Sequence, residues 1–133
     1  MRWTLDRSPL PGRPAAVLDP EQAAVVAHRV GPLLVLAGPG TGKTTTIVEA
    51  VAARLTELDD PAAALPASSV LVLTFGRRAA VELRDRLAMR LGGGLLPTVA
   101  TFHSFAYGLL AQTTASADRG ELPRLMSGAE EDV

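Results

Sequence analysis

Ala37-Gly38-Pro39-Gly40-Thr41-Gly42-Lys43-Thr44-Thr45 is the stretch whose reading decides the fold. An apolar run, Leu33-Leu34-Val35-Leu36, comes before it and a helical pattern comes after. Strand, glycine-rich turn and helix in that order are the context a phosphate-binding loop requires. The backbone amides of Gly38, Gly40, Thr41, Gly42 and Thr45 can converge on phosphate oxygens. Lys43 supplies positive charge for the outer phosphates of a nucleotide, and the Thr44 hydroxyl suits the accompanying magnesium. The new helix adds its positive dipole end. Pro39 has no N–H and shapes the loop without donating. The strict pattern begins with glycine where this chain has Ala37, and the spacing to Gly42-Lys43-Thr44 is intact.

The 133-residue chain offers one domain's worth of sequence. Hydrophobic residues make up 47% and charged residues 20%, the balance of a globular protein. A net charge of −1 gives no whole-chain argument for nucleic acid, so any such surface must be local. There is no cysteine, which excludes disulfides and thiolate metal sites and suits a reducing cytoplasm. The start, Met1-Arg2-Trp3-Thr4-Leu5-Asp6, lacks a signal peptide's apolar segment, and no apolar run is long enough to span a bilayer. With two histidines, His28 and His103, a metal site built on side-chain nitrogen is not expected.

Outward from the loop, the chain reads as alternating helices and strands. Residues 1–16, with Pro9, Pro11 and Pro14, read as an extended arm. Asp19 is an N-cap, Pro20 fits the first helical position, and Gln22 completes a capping box, so a helix is expected to about Arg29, before Gly31-Pro32. Residues 33–37 read as a buried strand. A helix over 44–58 places Ile47, Val48, Val51, Leu55 and Leu58 on one face. Residues 59–69, with Pro61 and Pro66, read as a loop, and 70–75 as a second buried strand. A helix over 77–91 carries Ala80, Leu83, Leu87 and Leu91 as its core stripe and ends at Gly92-Gly93-Gly94. A third strand over 98–101 and a third helix over 103–112 follow. The alternation argues for an α/β fold with a parallel sheet. Ser127-Gly128-Ala129-Glu130 resembles the capping box of a helix that has no body before Val133, the expectation for a piece of a longer chain; a frayed polar tail is the alternative.

Hydrolysis needs more than a phosphate loop. It needs an acidic residue at a strand end to hold magnesium and orient water. No apolar run here ends in Asp or Glu. Asp59 and Asp60 close a helix, and Glu130, Glu131 and Asp132 lie in a polar tail, so both groups read as solvated surface. The chain as given carries half of an ATPase site. Thr74-Phe75-Gly76-Arg77-Arg78 is the second informative segment. It puts an aromatic residue and cations at a strand end, where an open α/β sheet faces its ligand. Such a platform suits single-stranded nucleic acid, although Phe75 also fits a core and the arginines a solvated face. Thr101-Phe102-His103-Ser104 repeats the arrangement at the next strand end, with His103 able to meet a phosphate or to cap a helix.

Taken in order, these segments resemble the first motor domain of superfamily 1 DNA helicases of the UvrD/Rep/PcrA type, over roughly residues 17–113. Leu18-Asp19-Pro20-Glu21-Gln22 resembles the family's Q motif, which implies that Gln22 reads an adenine edge. Residues 37–45 resemble motif I in its alanine-led form. In motif Ia, Thr74, Phe75, Ala79, Ala80, Glu82 and Arg86 match the family pattern; Gly76, Arg77 and Leu83 depart from it, and Arg78 replaces lysine. Thr101-Phe102-His103-Ser104 resembles motif Ib. The resemblance implies an incomplete RecA-like P-loop domain that uses ATP and Mg2+. It implies single-stranded DNA contacts through Thr74, Phe75, Arg78, Thr101 and His103, with residues 114–133 a linker and the start of a further element. It further implies a parent ATP-driven motor that unwinds duplex in repair or recombination, with remaining helicase domains and a partner subunit as partners and no membrane. The Arg-Arg variant of motif Ia also resembles helicase–nuclease subunits of actinobacterial recombination machines. Without the acidic motif, the chain alone is expected to bind nucleotide and not to hydrolyse it efficiently. The competing readings are a small self-contained P-loop enzyme such as a nucleotide kinase, and a non-catalytic nucleotide-binding module.

Overall fold

A computed structural model describes residues 12–56, 61–94 and 96–116 of the chain. Helix α1 spans Pro20–Ala27, α2 Lys43–Thr56, strand β1 Leu71–Thr74, α3 Arg77–Leu91, β2 Thr98–Thr101 and α4 Phe102–Ser116. Two short 3-10 turns, Pro61–Ala63 and Ala67–Ser69, lie between α2 and β1. The architecture is α/β: a two-stranded parallel sheet flanked by helices, paired in register from Leu71 opposite Thr98 to Thr74 opposite Thr101. A parallel pair needs a crossover, and α3 supplies it.

The core lies between α2, α3 and the sheet. Val48 and Val51 of α2, Ala80, Leu83 and Leu87 of α3, Val72 of β1 and Val99 of β2 form one buried cluster. Leu87 is fully enclosed, at 0% exposure. The helical spacing of the α3 stripe places three of its four expected residues there, while Leu91 is only half-buried in the last turn. Gly92 then ends the helix in the left-handed region (φ 71°), its N–H donating to the Ala88 carbonyl, the conformation a glycine adopts without penalty.

The sequence-based boundaries hold closely for α3 and β2, and α4 runs on to Ser116. The first helix closes two residues early, where His28 turns extended. Three expectations are corrected. Residues 33–37 form no strand, and Leu34 and Leu36 are 81% and 87% exposed. A strand exists only through a neighbour that takes up its backbone hydrogen bonds, and among the described residues none pairs with this run. The strand at 70–75 is shorter, Leu71–Thr74, and only Val72 is buried, because a two-stranded sheet cannot cover both faces and both edges. The buried face of α2 is rotated from the expected stripe: Thr46, Glu49 and Ala52 are buried with Val48 and Val51, whereas Ile47 is exposed. The arm's residues 1–11, Leu58, Asp59, Asp60 and the capping box at 127–130 lie outside the described residues.

Residues 12–16 carry no helix or strand and lie across the helices. The Arg13 N–H donates to the Met89 carbonyl (2.9 Å) and the Ala16 N–H to Oε1 of Glu49 (3.1 Å). No helix among the described residues is long and apolar enough to cross a membrane.

Candidate functional site

The phosphate loop is built from both of its ends. At the near end, Asp19 caps α1: its carboxylate accepts from the Gln22 N–H (2.8 Å), and the Gln22 side-chain oxygen accepts from the Asp19 N–H (3.2 Å). The reciprocal pair orients the Gln22 amide, whose Nε2 then donates to the Thr41 carbonyl in the loop (3.1 Å). Asp19→Ala is expected to cost α1 about 0.5–2 kcal/mol, read as faster amide exchange at Gln22 with little change elsewhere.

Inside the loop, Gly40 and Gly42 have φ of 77° and 79°, a conformation that L side chains rarely adopt. A Cβ at Gly42 would also meet Nε2 of Gln22 at 2.6 Å, so the Gln22 amide would have to shift away from Thr41. The Thr41 hydroxyl donates to the Gly38 carbonyl (2.8 Å). Lys43 folds back over the loop, its Nζ donating to the carbonyls of Ala37 (3.0 Å) and Gly38 (2.6 Å). An ammonium has three protons, so one remains for an incoming oxygen. The helix that starts here has no acidic residue in its first turn, which leaves its positive end uncompensated. Thr44 and Thr45 sit on that turn, and Thr46 bonds back to the Gly42 carbonyl (3.1 Å).

Above the loop a cleft of about 510 Å³ opens between α1, residues 35–38 and the start of α2. Its polar wall includes Asp19, Glu21, Gln22, Thr41, Lys43 and Thr46, and its apolar wall includes Val25, Val35 and Ile47. The exposure of Ile47 is therefore that of a cleft wall. Donors around the loop, a cation and an apolar wall suit a nucleotide's phosphates and base. Among the described residues no group of three His, Asp or Glu side chains could hold a metal ion.

The second set of candidate residues gathers at the ends of β1 and β2. In-register pairing of Thr74 with Thr101 makes the following residues neighbours, and the rings of Phe75 and Phe102 meet at 5.1 Å with a 34° tilt. Phe75 is 90% exposed, so its ring belongs to no core. Arg78 and His103 are exposed beside this pair on the first turns of α3 and α4. Thr74 and Thr101 have structural partners: the Thr74 hydroxyl donates to the Gly76 carbonyl (3.0 Å). The buried Thr101 exchanges bonds with Ser104, its N–H donating to the Ser104 hydroxyl (3.0 Å) and its own Oγ1 accepting from the Ser104 N–H (3.1 Å). Phe102 was not singled out from the sequence, yet the repeated Thr-Phe pair at two successive strand ends carries its signal. Glu49 was also missed. It lies buried with both carboxylate oxygens on Nε of Arg90 (3.1 and 3.0 Å), 41 residues away, and nothing local announces that partner.

A family profile described as UvrD/REP helicase N-terminal domain matches residues 18–131. The chain is 38% identical over 89 residues to the ATP-dependent DNA helicase UvrD1 of Mycobacterium leprae, a match covering 65% of this chain and 11% of that protein. It is 42% identical over 99 residues to the ATP-dependent DNA helicase UvrD2 of Mycobacterium bovis, covering 70% and 13% respectively. It is 32% identical over 114 residues to the putative ATP-dependent DNA helicase YjcD of Bacillus subtilis, covering 81% and 14%. The matched part thus amounts to 11–14% of the length of these relatives.

Proposed function

This chain belongs to the UvrD/REP helicase N-terminal domain family, and from that premise we propose that it is the nucleotide-binding part of an ATP-dependent DNA helicase. The observation that carries the proposal is the closed geometry of the phosphate loop. Lys43 and the Gln22 amide grip its carbonyls from two sides, and Gly40 and Gly42 hold the positive φ that lets the backbone curl around an anion. In this reading Gly38, Gly40, Thr41, Gly42 and Thr45 present N–H groups to the phosphates of ATP. Lys43 neutralises them, Thr44 holds Mg2+, and Gln22 meets the base. Residues 17–113 act as the partial motor domain, after an arm and before a linker.

The Phe75–Phe102 pair is proposed as the single-stranded DNA platform, with Arg78 and His103 toward the phosphates and Thr74 and Thr101 shaping the strand ends. An exposed ring in a paired geometry is what a base needs for stacking. Phe75→Ala is expected to weaken binding of a single-stranded oligonucleotide by about 1–3 kcal/mol, measured by fluorescence anisotropy, because stacking is lost and no core contact is. Unchanged affinity would return Phe75 to a structural role.

The parent protein, in this proposal, moves along single-stranded DNA and separates duplex in repair or recombination in the cytoplasm, with further helicase domains and a partner subunit completing it. This piece alone binds nucleotide and turns it over poorly, since no apolar run in the sequence ends in the Asp or Glu that would hold magnesium and orient water. Titration of the chain with fluorescent ADP and Mg2+, alongside a phosphate-release assay, tests both halves. Binding without turnover is the expected result, and absence of binding overturns the pocket.

A further inference from the structure

The Glu49–Arg90 pair and residues 12–16 take no part in the phosphate loop or in the aromatic platform, yet they join the elements that carry both. Glu49 is 6% exposed on α2, two turns beyond Lys43. It takes Nε of Arg90 from the last turn of α3 on both oxygens, and Oε1 also accepts the Ala16 N–H. The arm is seated on α3 as well, through the Arg13 N–H on Met89 and through Gly12. A Cβ at Gly12 would overlap the Arg90 carbonyl oxygen, so the arm's backbone lies against the helix end. From Ala16 the chain runs directly into Asp19, whose capping box aims Gln22 at Thr41. A loop of contacts therefore closes: α3 to Glu49 to α2 and Lys43, and α3 to the arm to α1, Gln22 and the phosphate loop.

A buried ion pair adds little stability over well-packed apolar side chains, because desolvation offsets most of its attraction. What it supplies is geometry, since a carboxylate shared by a guanidinium N–H and a backbone N–H fixes direction as well as distance. The rest of the α2–α3 seam is Val48, Val51, Leu83 and Leu87, non-directional contacts that tolerate small sliding. We propose that Glu49 is a positioning residue: latched to Arg90 and to the arm, it makes α2 and α3 move as one body, so that nucleotide on Lys43 and Thr44 and single-stranded DNA on Phe75 and Arg78 are energetically coupled. The inference rests on the two binding surfaces proposed above and assigns the link between them.

The test measures the Kd of fluorescent ADP with Mg2+ for the full chain, with and without saturating oligo-dT. A coupled chain gives a Kd ratio in the range of about 5–150. Glu49→Gln keeps the volume and an acceptor for Ala16 and removes the charge. It is expected to bring the ratio toward one while nucleotide affinity without DNA stays near wild type, a change that loss of stability alone does not produce. Gly12→Ala lifts the arm without touching the core and is expected to act in the same direction; it carries the test if Glu49→Gln does not fold. A ratio unchanged in the folded variants, or a wild-type ratio of one with both ligands bound, overturns the proposal and leaves the binding surfaces standing. A wild-type chain that binds no nucleotide overturns those surfaces themselves, and with them the coupling.

Discussion

Replacing Lys43 by alanine is expected to abolish measurable nucleotide binding. Among the described residues, the ammonium is the one side-chain cation on the wall of the cleft, and its bonds to Ala37 and Gly38 leave one proton for a phosphate oxygen. Leaving phosphate charge without that partner costs on the order of 2–5 kcal/mol, about 30-fold to several thousand-fold in Kd. The loss has a second origin. Without the bonds to Ala37 and Gly38, the loop no longer holds its amides in one direction, so donors that remain in the sequence are no longer preorganised. Calorimetric titration with MgADP reads the effect. Lys43 is exposed and lies outside the apolar cluster, so the melting temperature should move little, and wild-type affinity in this variant would refute the pocket assignment.

The largest stability effect is expected at Leu87→Ala. Leu87 is the fully enclosed side chain where α2, α3 and the sheet meet, and truncation there removes about 2–5 kcal/mol of burial and packing. Domains are stable by only about 5–15 kcal/mol, and this core is small, so a large share of the total is lost. The melting midpoint should fall by roughly 10–40 °C, or the cooperative transition should disappear. Val81→Ala, on an exposed position of the same helix, is the control and should stay within about 0.5 kcal/mol of wild type.

Local chemistry is legible in the sequence. The capping box at Asp19 and Gln22, the glycine stop after Leu91 and the α3 stripe each depend on residues within a turn or two of one another, and each stands where the sequence puts it, save Leu91 at the end of the stripe. The α/β alternation was legible for the same reason, and so was the family. What failed depends on distant partners. The run at 33–37 is apolar enough for a strand, but apolarity does not supply a neighbouring strand. Hydrophobicity alone puts Ile47 on the buried stripe of α2 and leaves out Glu49, whose burial rests on Arg90 and the Ala16 N–H. In the candidate site, the loop residues come together around Lys43 as the motif spacing suggests, whereas the contact between Phe75 and Phe102 follows from strand register and is a property of the sheet.

The Gln22 amide has a finite number of valences. Its oxygen already serves Asp19 with one lone pair, and its nitrogen already serves Thr41 with one hydrogen. One lone pair and one hydrogen are left, the complement of an adenine edge and the wrong way round for a guanine carbonyl and ring N–H held in the same pose. Purine discrimination and the start of a helix would then draw on a single side chain. With Gln22 meeting the base as proposed, warming that frays α1 is expected to lower the ratio of ADP to GDP affinity before it weakens the grip on their phosphates.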